Sequence, residues 1–435
     1  MRKPSLWHSG TIWYPEPSGA VLVTDKKRIL ILVADAGFGH RSAANAIAAA
    51  LQELHPADCE VEIANPMQDE RVPAILRNSG SDYDRLVREA PGLYESAYEA
   101  ADSGLSSAIV QDAVGAMLFE VMNNLVGQCR PDAIVTPYPL YQASLGAIFT
   151  LSMRRIPLLT VVTDLARVHR TWFHKAADLC LVSTPEVRDQ AIEHGLSPEK
   201  VRVTGIPVHP NLTHEDRQRA AIRAGLGWAP DLTTVLAVGS TRVKNLSGIL
   251  RTLNHSGLPL QLAVVAGGDD ALYQLLQKAE WHVPAHIYNY VENMPVLMHA
   301  ADCVVCKAGG LIVTESLACG LPLLLTDVIA GQETSNAEYV VAGGAGELMH
   351  NPLEGLETLY HWFAGEGKLL AQRSGNARRL GRPRAAYEVA ELAWAEAMRG
   401  PRVKAIPRLP EKIEELVTGE RNIVDKALKK IGLEE

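Results

Sequence analysis

No apolar run in this 435-residue chain approaches the roughly 20 residues that a membrane-spanning helix needs. The opening stretch, MRKPSLWHSGTIWYPEP, also lacks the apolar segment of a signal peptide. The expectation is a cytoplasmic protein that meets a membrane only from outside. A surplus of basic charge is missing too. The 42 Lys and Arg against 50 Asp and Glu give a formal net charge of −8, which argues against a dedicated nucleic-acid binder. Cysteine is scarce, with six in the chain, so no disulfide framework is expected and a reducing compartment fits. Cys303 and Cys306 fall in a predicted strand, CVVC, where an offset of three sends the side chains to opposite faces and disfavours a shared metal.

What the chain does have is apolar content, 47% of residues, over a length suited to two domains. Short apolar runs alternate with helical patterns from Arg28 onward, the signature of parallel α/β units. RILILVAD, CEVEIAN, DAIVTPY, LLTVVTD, DLCLVST and VRVTGIP read as strands of one half. TTVLAVG, LQLAVVAG, AHIYNYV, DCVVCKAG and LPLLLTD read as strands of another. The polar, proline-bearing stretch from Pro207 reads as the connection between them. Residues 1–25 read as an irregular lead-in, 26–208 as the first domain and 209–370 as the second. Residues 371–400 read as a helix crossing back to the first, and 401–435 as a tail. Two doubly wound domains of this kind bind ligands between the carboxyl ends of their strands.

Two stretches of the second half suggest a nucleotide-sugar site. In KAGGLIVTES, Gly309 and Gly310 allow close approach to the backbone at a helix start, where N–H groups and the helix dipole suit a diphosphate. Glu315, about one turn further, would repel phosphate but can accept hydrogen bonds from a ribose diol. The same residues also fit a sterically packed turn with Glu315 solvated. In VIAGQETSNAEYVV, Gly331, Gln332, Glu333 and Asn336 gather donors and acceptors at a strand's carboxyl edge, as sugar hydroxyls require. Ordinary helix capping fits these residues as well.

These two stretches, together with DAGFGHRSAANAI and TDLARVHRTWFHKAADLCLVSTPEVRDQAIEHGLSPEKVRVTGIPVHP, resemble the monogalactosyldiacylglycerol synthase group of glycosyltransferases, over roughly Arg28 to Tyr387. That group is related to the lipid-linked N-acetylglucosaminyl transferase of peptidoglycan synthesis. The resemblance implies an α/β GT-B fold, two doubly wound Rossmann-like domains facing across a cleft. It further implies a UDP-hexose donor on the second domain, a diacylglycerol acceptor on the first, and inversion without a metal or other cofactor. Lys307, Gly309, Gly310, Glu315, Gln332, Glu333 and Asn336 then belong to the donor side, and Tyr290 and Val291 offer backbone groups to the uracil. Two departures stand out. The loop GSTRVKN replaces a glycine-rich one, leaving Gly239 and Ser240 as phosphate-facing candidates with Arg242 or Lys244 adding charge. In TPYPLYQ, Tyr138 stands where relatives often carry histidine, while Pro139 remains on the acceptor side.

His40 follows Gly37 and Gly39 at a strand-to-helix turn. An alcohol attacking a sugar carbon needs a base, and an imidazole with an ordinary pKa near 6.5 is poised for that. The glycines keep the turn narrow for the acceptor, and the resemblance assigns the base to this histidine; a capping or packing role is the alternative. Asp164 is a candidate to orient the base or bind an acceptor hydroxyl, or is a plain N-cap. HRTWFHK mixes Arg170 and Lys175 with Trp172 and Phe173, suiting a lipid headgroup boundary; a buried Trp172 is the competing account. Tyr94 and Leu93, within YDRLVREAPGLYESAY, are candidates for acyl-chain contact or for helical packing. The five arginines from Arg373 to Arg384 suit anionic lipid or a solvated helix face.

The resulting expectation is transfer of galactose from UDP-galactose to 1,2-diacylglycerol, with no nucleic acid involved, by a protein peripheral on the cytoplasmic membrane face. A UDP-glucose-dependent enzyme, a UDP-sugar epimerase and a silent UDP-sugar sensor are the alternatives. A nicotinamide dehydrogenase is disfavoured because DAGFGHRSA does not continue as G-x-G-x-x-G.

Overall fold

A computed structural model describes residues 26–35, 38–78, 104–152, 154–213, 218–241, 243, 245–329 and 333–403. Fourteen strands are seen among them: β1 (Lys27–Leu32), β2 (Cys59–Ala64), β3 (Ala133–Thr136), β4 (Arg154–Arg155), β5 (Leu158–Val161), β6 (Leu179–Val182), β7 (Val201–Val203), β8 (Thr233–Val238), β9 (Leu260–Val265), β10 (Ala285–Tyr288), β11 (Cys303–Cys306), β12 (Leu323–Leu325), β13 (Gly346–Leu348) and β14 (Arg402–Val403). They form two six-stranded parallel sheets, ordered β2-β1-β3-β5-β6-β7 and β10-β9-β8-β11-β12-β13. β14 pairs antiparallel with β4.

Both sheets are parallel because their strands are apolar on both faces and helices cover each side. Ile29, Leu30, Ile31 and Leu32 of β1 are all buried, alternating between two core clusters. Each such side chain contributes about 1.5–3 kcal/mol on burial. The helix Phe38–Leu54 lays Ala43, Ala44, Ala46, Ile47, Ala50 and Leu51 inward. Cys303 and Cys306 sit in different clusters on opposite faces of β11, and burial pushes both thiols up.

The chain order in each sheet reverses once, between β1 and β3 in the first and between β8 and β11 in the second. Crevices open at the carboxyl ends of the strands at such switch points, so the loops after β1, β3, β8 and β11 are where a site is built. The strand β13, not foreseen from the sequence, closes the second sheet.

The chain crosses between the halves twice. The outward crossing passes Gly205, whose φ is +90°, and a Cβ there would come 2.6 Å from Arg382 Cβ on the return crossing. Only glycine fits both that conformation and that contact. The return follows the helix Pro352–Leu380, which contains a non-helical turn at Ala364–Gly367, and a break at Gly381–Arg384. The sequence suggests one helix from Ala371; Pro383 lies in the break, where a helix interior would not tolerate it. The final helix, Ala385–Arg399, inserts Ala386, Val389, Ala390, Ala393 and Ala397 into the core of the first half. His55 stacks on Trp394 at 4.0 Å between ring centroids, and the Tyr387 hydroxyl donates to Glu53 at 2.6 Å.

Candidate active site

His40 is the third residue of the helix Phe38–Leu54 that follows β1. Its Nδ1 lies 2.8 Å from the carbonyl oxygen of Pro137, after β3, and 2.9 Å from the hydroxyl of Thr163, after β5. A carbonyl only accepts, so Nδ1 carries the proton and Nε2 keeps the basic lone pair. Burial lowers the His40 pKa below the ordinary 6.5, opposed by the Asp164 charge and the Pro137 carbonyl. The ring is therefore neutral at neutral pH. Tyr138 meets it edge-on at 5.1 Å between centroids, and Trp172 lies at 6.1 Å. A Cβ on Gly39 would meet no described residue within 4 Å, so among the described residues nothing crowds the helix start at that point.

Trp172 is 2% exposed, and this corrects the expectation that its ring lies at a headgroup boundary. Its indole N–H donates to Asp164 Oδ2 at 2.8 Å, and Phe173 is buried with it in one cluster. Burying an indole requires a partner for its N–H, and Asp164 is that partner. Asp164 does not hydrogen-bond His40; it acts on the imidazole through its charge. Pro139 opens a short 3-10 turn, Pro139–Tyr141, and its carbonyl accepts from Gln142.

In the second half, Gly309 precedes the nine-residue helix Gly310–Ala318. A Cβ on Gly309 would come 2.6 Å from Lys307 Nζ and 3.3 Å from Glu333 Oε1. A side chain there would push the flexible end of Lys307 away from the ion pair that its Nζ makes with Glu333 Oε1. Glu333 Oε2 accepts from the Ile329 N–H at 3.1 Å, and Asn336 donates to the Ala308 carbonyl at 3.0 Å. Both side chains are buried, so they fix the backbone around the helix start from within. Burial lifts the Glu315 carboxyl to about 7.

Gly239 departs from the phosphate-facing expectation. Its N–H donates to the Val265 carbonyl at 2.7 Å, and a Cβ would press within 2.9 Å of Leu246 and 3.0 Å of Leu272. Packing therefore explains the glycine. The Ser240 carbonyl accepts from Val243, and Asn245 is tied to Asp327 by two hydrogen bonds, of 3.2 and 2.9 Å. Tyr290 is 70% exposed beyond the end of β10, and Val291 packs on the second-half core. Gly37, Leu93, Tyr94, Arg242, Lys244, Gly331 and Gln332 lie outside the described residues. Three of the five arginines from Arg373 to Arg384 are engaged within the protein: Arg373 donates to Gly344 and Glu347, Arg379 donates to Gly343, and Arg384 covers the Tyr387 ring.

The two halves meet at this site. A Cβ on Gly310 would come 3.3 Å from the Thr163 carbonyl, and the Arg167 N–H donates to Ser335 Oγ at 3.2 Å. His40 and the donor-side helix start are thus brought to one cleft. Sequence reasoning missed Pro137 and Thr163 as anchors of His40 and the pairing of Lys307 with Glu333. The position of Thr163 at the carboxyl end of a strand was the available signal.

Comparison with known proteins agrees with this layout. The family model for monogalactosyldiacylglycerol (MGDG) synthase matches residues 40–208, and that for glycosyl transferases group 1 matches 218–370. The chain is 31% identical over 388 residues to the chloroplastic monogalactosyldiacylglycerol synthase of Spinacia oleracea, covering 86% of this chain and 73% of that protein. It is 30% identical over 387 residues to the chloroplastic monogalactosyldiacylglycerol synthase 1 of Arabidopsis thaliana, covering 86% and 72%. Among solved structures, MurG of Acinetobacter baumannii superposes with a TM-score of 0.54 at 16% identity, covering 85% of this chain and 99% of that one. A putative UDP-N-acetylglucosamine 2-epimerase from Listeria monocytogenes gives 0.57 at 15%, covering 88% and 99%. These structural likenesses establish the GT-B fold of two Rossmann-like halves. With a histidine-bearing helix in one half facing a helix start preceded by glycine in the other, the chain is a glycosyltransferase that belongs to the monogalactosyldiacylglycerol synthase family.

Proposed function

We propose that the protein transfers a galactosyl group from UDP-galactose to the free hydroxyl of 1,2-diacylglycerol, inverting the anomeric carbon. The observation that carries the reading is the His40 geometry: a neutral imidazole, protonated at Nδ1 by its hold on Pro137, beside a helix start that faces the donor half. In this scheme the acceptor oxygen bonds to C1 of the sugar while His40 Nε2 takes the hydroxyl proton, and the C1–oxygen bond to UDP breaks. The released diphosphate is met by the backbone N–H groups at the start of Gly310–Ala318, whose dipole favours negative charge. Glu315 accepts hydrogen bonds from the ribose, Gln332 and Glu333 hold the sugar, and Tyr290 and Val291 flank the base. No metal or other cofactor enters the scheme. Relatives named as monogalactosyldiacylglycerol synthases favour the galactosyl donor and the diacylglycerol acceptor.

No helix among the described residues is long and apolar enough to cross a membrane. A lipid acceptor then implies peripheral contact, which we place on the cytoplasmic face. The test is product formation on diacylglycerol in anionic liposomes, with UDP-galactose and UDP-glucose offered separately, EDTA present and a His40→Ala control. A β-linked galactolipid that His40→Ala abolishes supports the proposal. Product from UDP-glucose alone reassigns the donor. UDP binding with no transfer from either donor overturns the proposal in favour of an epimerase or a sensor.

A further inference from the structure

The His40 imidazole is held at one nitrogen by two groups from different loops, and only one of them has a side chain to lose. Pro137 contributes a backbone carbonyl. Thr163 contributes its hydroxyl, 2.9 Å from Nδ1, from a residue 7% exposed at the carboxyl end of β5. The carbonyl of the same residue is what a Cβ on Gly310 would approach, to 3.3 Å, at the first position of the donor-side helix. One residue therefore hydrogen-bonds His40 in its own half and lies beside the helix start of the other.

We propose that Thr163 is a positioning residue: its hydroxyl fixes the orientation of His40 and stabilises the imidazolium formed when Nε2 takes the acceptor proton, while its backbone sets the distance between the base and the donor helix. The inference rests on the reading of His40 as the base. As His40 becomes an imidazolium, the Nδ1–H strengthens as a donor, and an oxygen already beside it gains the most. The Thr163 hydroxyl oxygen and the Pro137 carbonyl accept together from that N–H. The other groups around the ring are Asp164, whose charge favours the imidazolium, and the phenol of Tyr138, which burial pushes up to about 12 and so keeps neutral. Neither replaces an oxygen lost at Nδ1, because Asp164 is bound to Trp172 and Tyr138 presents its ring.

Thr163→Val keeps the shape and removes the oxygen, while Thr163→Ser keeps the oxygen and removes the methyl group. Both are compared with His40→Ala in the full-length chain, using the liposome assay with the active donor over about pH 5.5 to 9. The expected result is a drop of about tenfold in kcat for Thr163→Val with the donor KM within about twofold, and recovery to within about threefold in Thr163→Ser. With the stabilising oxygen gone, the imidazolium is harder to form, so the acid limb of the Thr163→Val profile moves to lower pH. Wild-type kcat and an unshifted limb in Thr163→Val overturn the inference, as does a Thr163→Ser variant no better than Thr163→Val, which would make the role one of packing. If Thr163→Val does not fold, as judged by circular dichroism, Thr163→Ala, which also removes the oxygen, takes its place with the same readouts, and wild-type kcat with an unshifted limb again overturns the inference. Activity retained in His40→Ala removes the base reading and this inference with it. Loss in His40→Ala beside an unaffected Thr163→Val removes only this inference.

Discussion

The two halves prepare for the reaction by different means. In the first, the His40 ring is held by neutral oxygens, those of Pro137 and Thr163, and flanked by the rings of Tyr138 and Trp172. In the second, charge is balanced against charge, with Lys307 on Glu333, and the Glu315 carboxyl is kept near 7 by burial. A base must stay neutral until it acts, and neutral hydrogen-bond partners hold it without charging it. A donor site must receive an anion, and a cation already neutralised by Glu333 contributes shape to the wall more than net charge. The contrast separates what substitutions in each half should do: changes around His40 act on the chemical step, and changes around Lys307 act on donor binding and on stability.

The largest expected break in that contrast is His40→Ala. General-base catalysis typically contributes about 10²- to 10⁴-fold, so kcat should fall by that much while calorimetry finds UDP binding unchanged. Weakened UDP binding of similar size would erase the division of labour. Next comes Lys307→Ala, which leaves Glu333 buried without its partner. Stranding one member of a buried pair costs about 3–5 kcal/mol, to be read from denaturant unfolding at pH 7. Lys307→Met with Glu333→Gln should recover most of that loss, since no charge is then stranded.

A smaller effect follows from Glu315. Its carboxyl titrates near 7 in the folded protein against an ordinary 4.5, so folding favours the protonated form. The associated loss of stability starts as pH rises past the unfolded value and levels off above the folded one. Glu315→Gln should therefore leave stability nearly unchanged at low pH and raise it by up to about 3 kcal/mol above pH 7. A difference independent of pH would show that the carboxyl is not held by burial. The smallest effect is that of Trp172→Phe, which keeps an aromatic ring and removes the N–H to Asp164. Losing one hydrogen bond to a charged group costs about 1.5–3 kcal/mol, with liposome association unchanged. Reduced association would return Trp172 to the membrane surface.

These comparisons also mark what was legible beforehand. The parallel sheets were, because apolar strands such as RILIL and LQLAVV are unmistakable when both faces are buried. β13 was not, because Gly346–Leu348 is three residues long and carries a glycine and a glutamate. Gly309 and Gly310 were legible as a strand-to-helix turn, and so was the turn that leads into His40. The anchors of His40 were not: Pro137 and Thr163 lie 97 and 123 residues away along the chain, and no local pattern encodes such a pairing. Trp172 was misjudged because a ring between cations looks like an interfacial residue, whereas its polar edge finds Asp164 eight positions back. Gly239 was misjudged because small residues after a strand invite a phosphate, although here Leu246 and Leu272 fill the space a side chain would need.

The helix Ala385–Arg399 has a consequence for how the molecule is made. Its alanines and Val389 complete the core in which Ile29, Ile31 and Ala44 are buried, so the half that is synthesised first is finished last. Domains generally fold as units while the chain emerges. Here the second half is contiguous and can close while the first still exposes one side of its sheet, awaiting the last helix of the described chain. A nascent chain arrested before Ala385 would thus carry a finished second half joined to a first half with an open, apolar flank, the kind of surface that chaperones engage.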